Sequence, residues 1–254
     1  MAPARQRRTP PDHPRRREPR PARKGPGSAE PAVPDEITGN ELDREVRAEL
    51  RTLPQGLAEQ VARHLVAAAE LLEAEPELAY AHALAARRRA ARIAAVREAA
   101  GLTAYRAGHY AEALRELRAA RRMSGSAEHL PLIADSERGL GRPERALEIA
   151  TGDDVKTLDR AGRVEMRIVE AGARRDMGQL DAALVRLEGA DLRSPQREPW
   201  LARLRFAYAD ALLAAGRADE ARDWFARAAE ADLDEETDAA QRLAELDGVR
   251  FIED

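Results

Sequence analysis

The sequence predicts an all-α protein, an α-solenoid of stacked antiparallel helix hairpins that follows a disordered N-terminal tail. Three observations carry that expectation. The stretch GHYAEA at 108–113 returns as GRPERA at 141–146, GQLDAA at 178–183 and GRADEA at 216–221. The four glycines lie 33, 37 and 38 residues apart, a period typical of helix–turn–helix arrays. Only 9 residues are aromatic while Ala, Leu and Arg abound, which suits helices packed through small side chains and not a sheet.

Each repeated stretch reads as the end of one helix and the start of the next. Glycine adopts the left-handed backbone that other residues resist and that helix C-termini often need. The acids that follow (Glu112, Glu144, Asp181, Asp219, Glu220) suit a helix first turn, where the backbone carries partial positive charge. The alanine five residues after each glycine (Ala113, Ala146, Ala183, Ala221) is small enough for two helices to approach closely.

Taken in order, residues 1–34 hold nine of the fifteen prolines and nine basic against three acidic side chains. With almost no large apolar residue, such a segment cannot offset its ordering entropy, and disorder is expected. Order is expected from about Ile37, where Thr38 and Glu41 fit a capping box and Ile37 with Leu42 the accompanying hydrophobic staple. Leu42, Val46, Leu50 and Leu53 form an apolar stripe that Pro54 ends. A degenerate hairpin follows over about 55–92, with helices at about 55–75 and from Pro76, which suits a helix first turn. Four helix pairs are expected over about 93–231: 93–107 with 110–123, 127–139 with 143–151, 160–177 with 180–189, and 198–215 with 218–231. A helix at about 235–246 reads as the cap that the exposed last face of a repeat array requires. Val249–Ile252 is a short apolar tail expected to fold back on it.

The net charge of −4 conceals segregation: +6 over residues 1–34, −7 over 35–86, +7 over 87–122 and −10 beyond. There is no cysteine, so neither disulfides nor thiolate chemistry is available. No apolar run approaches the ~18 residues of a membrane span, and no apolar segment follows the basic N-terminus as in a secretory signal. A soluble, cytoplasmic protein is the expectation.

These features resemble the tetratricopeptide repeat, a helix–turn–helix unit of about 34 residues. With each turn glycine set at repeat position 15, the first repeat supplies Gly101, Gly108, Tyr110, Ala113, Leu117 and Ala120. The third supplies Ala171, Gly178, Leu180, Ala183, Leu187, Ala190 and Pro195, and the fourth Tyr208, Ala209, Gly216, Ala221, Phe225 and Ala228. The second keeps Ala134, Gly141 and Ala146 with a shortened second helix. The tryptophan usual at position 4 is replaced by Arg97, Leu130, Arg167 and Arg205. The segments VREAAG, RAARRMSG, ERGLGRP, GARRDMGQLDAA and YADALLAAGR further resemble a group of actinobacterial proteins built from this repeat.

The resemblance implies that the first helix of each pair lines a concave face through repeat positions 2, 5, 9, 12 and 13. Carried over, these are Glu98, Tyr105 and Arg106; Glu128, Asp135 and Arg138; Glu165, Arg175 and Asp176; and Arg203, Phe206 and Asp210. The expected function is a non-catalytic scaffold whose groove holds an extended or helical segment of another protein, anchored by arginine and aromatic side chains. The competing expectation is that these charges pair with neighbouring repeats, as Asp135 with Arg138 at i,i+3. A chaperone-type carboxylate clamp is not expected. Its Lys and Asn at positions 5 and 9 are here Glu98, Pro131, Ile168, Phe206 and Leu102, Asp135, Gly172, Asp210.

No residue pattern marks catalysis, a cofactor or a metal. His13, His64, His82, His109 and His129 show no H-E-x-x-H spacing, and the turn glycines stand singly, not as a phosphate loop. His64 and His82 are expected on partly exposed helix faces, and His109 in an exposed turn. The alternative function is RNA or ribosome association through the basic tail and the ten arginines of 87–122, although few aromatics interleave with them for base stacking. The acidic 35–86 region is an alternative, intramolecular partner for those arginines. Self-association through patches of opposite charge is a further expectation.

Overall fold

The structure is a computed structural model that describes residues 30–195 and 198–248. Most of the expected tail, His13 and the apolar segment after Val249 lie outside the described residues. Among the described residues there are twelve α-helices and no strand. They are α1 (Arg44–Leu50), α2 (Gln55–Glu70), α3 (Pro76–Ala90), α4 (Ala94–Arg106), α5 (Tyr110–Ser124) and α6 (Leu130–Gly139). Then come α7 (Pro143–Ala150), α8 (Arg160–Asp176), α9 (Leu180–Leu187), α10 (Leu201–Ala214), α11 (Ala218–Ala231) and α12 (Ala239–Leu246). Short 3-10 turns at Asp153–Thr157 and Asp191–Arg193 lead into α8 and α10. Among the described residues no helix is long and apolar enough to cross a membrane.

The four pairs α4–α5, α6–α7, α8–α9 and α10–α11 share one turn. Gly108, Gly141, Gly178 and Gly216 have φ of +74°, +71°, +74° and +76°. In each turn the next amide reaches the carbonyl five residues back: His109 to Ala104 at 2.8 Å, Arg142 to Glu137 at 2.9 Å, Gln179 to Arg174 at 2.8 Å and Arg217 to Leu212 at 2.9 Å. These bonds satisfy helix-end carbonyls that would otherwise lack partners. A Cβ at any of the four would meet nothing within 4 Å, so the backbone angle alone demands glycine. The four alanines that follow are fully buried at 0 % exposure. Gly101 has the opposite constraint: a Cβ there would sit 2.6 Å from the Leu117 side chain, because α4 and α5 touch.

The core is a row of clusters in chain order. Leu50, Val61, Leu65 and Val96 join the first four helices, and Leu114, Leu117 and Ile133 join α5 to α6. Leu130, Met166 and Val169 fill the space near α7, and Trp200, Leu204, Tyr208, Leu212 and Phe225 form the largest cluster toward α12. First helices of successive pairs touch, α6 with α8 and α8 with α10.

Several boundaries differ from expectation, each for a local reason. Thr38 and Glu41 do bond, the Thr38 amide and hydroxyl donating to Glu41 Oε1 at 3.1 and 3.0 Å. They close a turn, however, and α1 starts later, at Arg44. Helix α2 stops at Glu70, not Glu75: the Leu72 amide bonds back only three residues, to the Ala69 carbonyl at 3.3 Å, and Pro76 bars Glu75 itself from helical angles, leaving it at φ −137°, ψ 66°. Helix α12 starts at Ala239, not 235, because the Asp232 carboxylate takes the amides of Glu236 and Thr237, both at 2.8 Å. Order reaches back to Glu30, within the expected tail: Arg63 Nε donates to the Ile37 carbonyl at 2.7 Å and Arg63 Nη2 to that of Pro34 at 2.8 Å.

Gly178→Ala should lower stability by about 1–2 kcal/mol through its left-handed backbone. Gly56→Ala, in the first turn of α2 with open space around it, should raise stability by about 0.4–1 kcal/mol. Urea denaturation of the two variants checks both signs.

Candidate partner-binding groove

The residues expected on the binding face belong to α4, α6, α8 and α10, and the structure joins them helix to helix. The Tyr105 hydroxyl donates to Asp135 Oδ2 at 2.6 Å, and Arg138 Nη1 donates to Asp135 Oδ1 at 2.6 Å. Arg138 then reaches α8, its Nε and Nη2 donating to the two oxygens of Asp176 at 2.8 and 3.3 Å. Arg175 pairs with Asp210 on α10, and Arg203 Nη2 on α10 donates back to Glu165 Oε1 at 2.6 Å. The sequence separations of the links between helices are 30, 38, 35 and 38 residues, close to one repeat. Glu98 meets His129 at 3.2 Å, and Arg106 pairs with Glu73 in the α2–α3 turn. Glu128 acts on His129 only through its charge.

Gly172 shows why this row needs a small residue on α8. A Cβ there would lie 2.4 Å from Arg138 Cζ, so the guanidinium rests on bare backbone with both carboxylates in reach. Burial by itself would lower the Arg138 pKa, but Asp176 and Asp135 outweigh it and the net shift is upward. Burial first, then the Asp135 charge and hydrogen bond, raise Tyr105 far above the usual phenol range. His129 is raised as well, the bond from Glu98 overcoming burial.

Between α8 and α10 the face opens into a cavity of about 340 Å³. Its floor is Ile168, Ala171, Phe206 and Ala207, and its rim includes Arg138, Arg175 and Arg203. Phe206 stands edge-on to Phe225 with ring centres 5.5 Å apart, which fixes the floor. Among the described residues Arg175 uses one of its five N–H groups, on Asp210. Burial and the Arg138 and Arg242 guanidiniums oppose its charge more than Asp176 supports it. The capping segment adds residues that repeat arithmetic does not reach: Glu236 accepts from Arg203 at 2.6 Å, and Arg242 approaches Asp210 at 3.5 Å.

The arginine-rich stretch 87–122 is largely neutralised from within. Glu116 on α5 is fully buried and bonded by Arg87 and Arg97, both at 2.5 Å, and by Arg115 at 2.9 Å. Burial would raise its pKa, but the three guanidinium bonds win and the net shift is downward. Arg118 meets the buried Glu137 at 2.6 Å, Arg121 pairs with Asp154, and Arg89 meets Glu30 at 2.7 Å. Of these arginines Arg106 alone pairs with an acid of the 35–86 segment among the described residues.

In three of the four pairs, arginine at repeat position 4 ties the first helix to polar groups outside it. Arg97 donates to the Ala91 carbonyl at 2.8 Å, Arg167 to Asp191 at 2.8 Å and Arg205 to the Ser194 carbonyl at 3.1 Å. His64 and His82, expected on partly exposed faces, are instead buried at 5 % and 2 % exposure. Among the described residues no three His, Asp or Glu side chains group as metal ligands would. No protein-family model matches the sequence, and no curated protein does.

Glu116→Gln removes the negative charge on which three guanidiniums converge. It should cost about 3 kcal/mol of folding stability, the low end for a broken buried pair because the arginines keep some solvent. Urea denaturation at neutral pH measures it.

Proposed function

We propose that the helix pairs stack as an α-solenoid of the tetratricopeptide type and that the face of α4, α6, α8 and α10 is its concave side. There the chain holds a segment of another protein and performs no chemistry itself. The observation that carries this reading is the cavity between α8 and α10. Its lining includes Arg138, Ile168, Gly172, Arg175, Arg203, Phe206 and Asp210, all at positions that the repeat assigns to the binding face.

The chemistry of the cavity suggests what fits. Its floor is apolar, and Arg175 has N–H groups to spare beside it. A segment presenting an apolar side chain next to a carboxylate would cover the floor and complete the hydrogen bonding of that guanidinium. The exposed Asp238 at the rim would favour a basic residue farther along the same segment.

RNA association and self-association both draw on unpaired positive charge. They are weakened by the carboxylates that Glu30, Glu116, Glu137 and Asp154 already bring to the arginines.

The test is capture from the source cell, followed by measured binding of the purified partner. Arg175→Glu and Phe206→Ala should each weaken that binding by about tenfold or more, and Arg44→Glu, exposed on α1 away from the cavity, should leave it unchanged. Undiminished binding by the first two variants would discard the assignment.

A further inference from the structure

His64 on α2 and His82 on α3 meet Nδ1 to Nδ1 at 3.0 Å, with ring centres 5.2 Å apart. The far nitrogen of His64, Nε2, lies 2.9 Å from Glu30 Oε1. Glu30 is the first described residue, and its carboxylate also meets Arg89 at 2.7 Å and Arg88 at 3.4 Å. Three titratable groups therefore stand in a line that starts on the Glu30–Ile37 segment and ends inside the α2–α3 contact.

We propose that the His64–His82 pair is a proton-sensitive joint between α2 and α3, closed with zero or one added proton and forced open by a second. Hydrogen-bond counting gives the reason. With Glu30 ionised, His64 donates from Nε2, so its Nδ1 accepts and His82 Nδ1 donates. One added proton makes His64 a donor at both nitrogens, and His82 accepts at Nδ1 after moving its own proton to Nε2. A second added proton puts N–H on both facing nitrogens, with no acceptor between them and two positive rings in contact.

The surroundings relieve that state only in part, through the Glu30 carboxylate, which favours the charged form of both rings. Glu30 comes from the segment, Arg88 and Arg89 from α3, and both arginines act against protonation of His64. Arg63 on α2 is turned to the segment's carbonyls. Helix α4, packed on both helices, contributes Ala100 to the contact with Ala68 and Ala83. Burial first, with the arginines adding to it, outweighs the bond and charge of Glu30 and holds His64 below the usual histidine range. Burial and then His64 do the same for His82. The sign follows: each group binds its proton more weakly when closed, so the closed form is intact above ~6.5 and loses ground as pH falls below it. Small residues line this contact around the rings, with Ala67, Ala68, Ala79 and Ala83 buried, while Val61 and Leu65 hold the helices nearer Ala86 and Ala90, so the opening is local to the turns that carry the rings. A cavity of about 350 Å³ beside His64, lined by Glu30, Pro31 and Arg89, gives its ring room to leave. The Glu30–Ile37 segment would loosen with it.

The test is hydrogen exchange of the full chain from pH 7.5 to 5.0, corrected for intrinsic rates, with helix content followed by circular dichroism. Protection of residues 30–37 and of the facing turns of α2 and α3 should fall by about tenfold per pH unit below ~6.5 for each proton taken up on opening. His82→Asn and His82→Gln keep a hydrogen-bonding group but cannot take the second proton, and their protection should fall less steeply, by one tenfold step per pH unit fewer than the wild-type chain. The same pH dependence in the variants, or none in the wild-type chain, would overturn the joint. If both variants exchange rapidly at every pH, the wild-type imidazole resonances decide. A second protonation whose midpoint coincides with opening supports the joint, and one that leaves protection unchanged overturns it.

Discussion

The left-handed glycine turn is the constraint on which the rest of the structure depends. It reverses the chain within two or three residues and satisfies the helix-end carbonyls that a reversal would leave bare. It also returns the next helix close enough that an alanine must fill the contact. Because the same turn occurs four times at nearly the same interval, first helices recur at a near-constant sequence distance. That recurrence is what allows a charge on one of them to find its partner about one repeat away.

Pairs between repeats serve two purposes on this face. They add to the apolar contacts between these helices, and they leave a cavity edged by guanidiniums where the row is incomplete. Arg138 donates to Asp135 and Asp176 through three of its N–H groups, whereas Arg175, among the described residues, donates through one, to Asp210. Structural ion pairs and the proposed binding surface are therefore compatible on the same helices, and the difference lies in how many donors each arginine has left. On α5 the balance goes entirely to structure, since Glu116 takes three arginines for itself.

Much of this was legible in the sequence because its rules are local or periodic. A glycine followed five residues later by alanine placed the four turns to within a few residues, and repeat arithmetic placed the residues around the cavity. The arithmetic failed where structure is neither local nor periodic. Glu236 and Arg242 enter the face from the cap, and nothing in their spacing ties them to Arg203 or Asp210. His64 and His82 looked like ordinary surface positions, and only the approach of α2 to α3 brings them together. Thr38 and Glu41 bonded as their spacing implies but closed a turn, because a side-chain bond does not decide how many further residues become helical.

The central claim is that period-spaced charge pairs hold successive helix pairs together along the binding face. A double-mutant cycle on Arg138 and Asp176, with each replaced by Ala alone and together, tests it most directly by urea denaturation. The account predicts a coupling energy of about 1–2 kcal/mol, above that of a typical exposed pair. A coupling near zero would contradict it, because the row would then be a surface decoration on helices held by their apolar contacts alone.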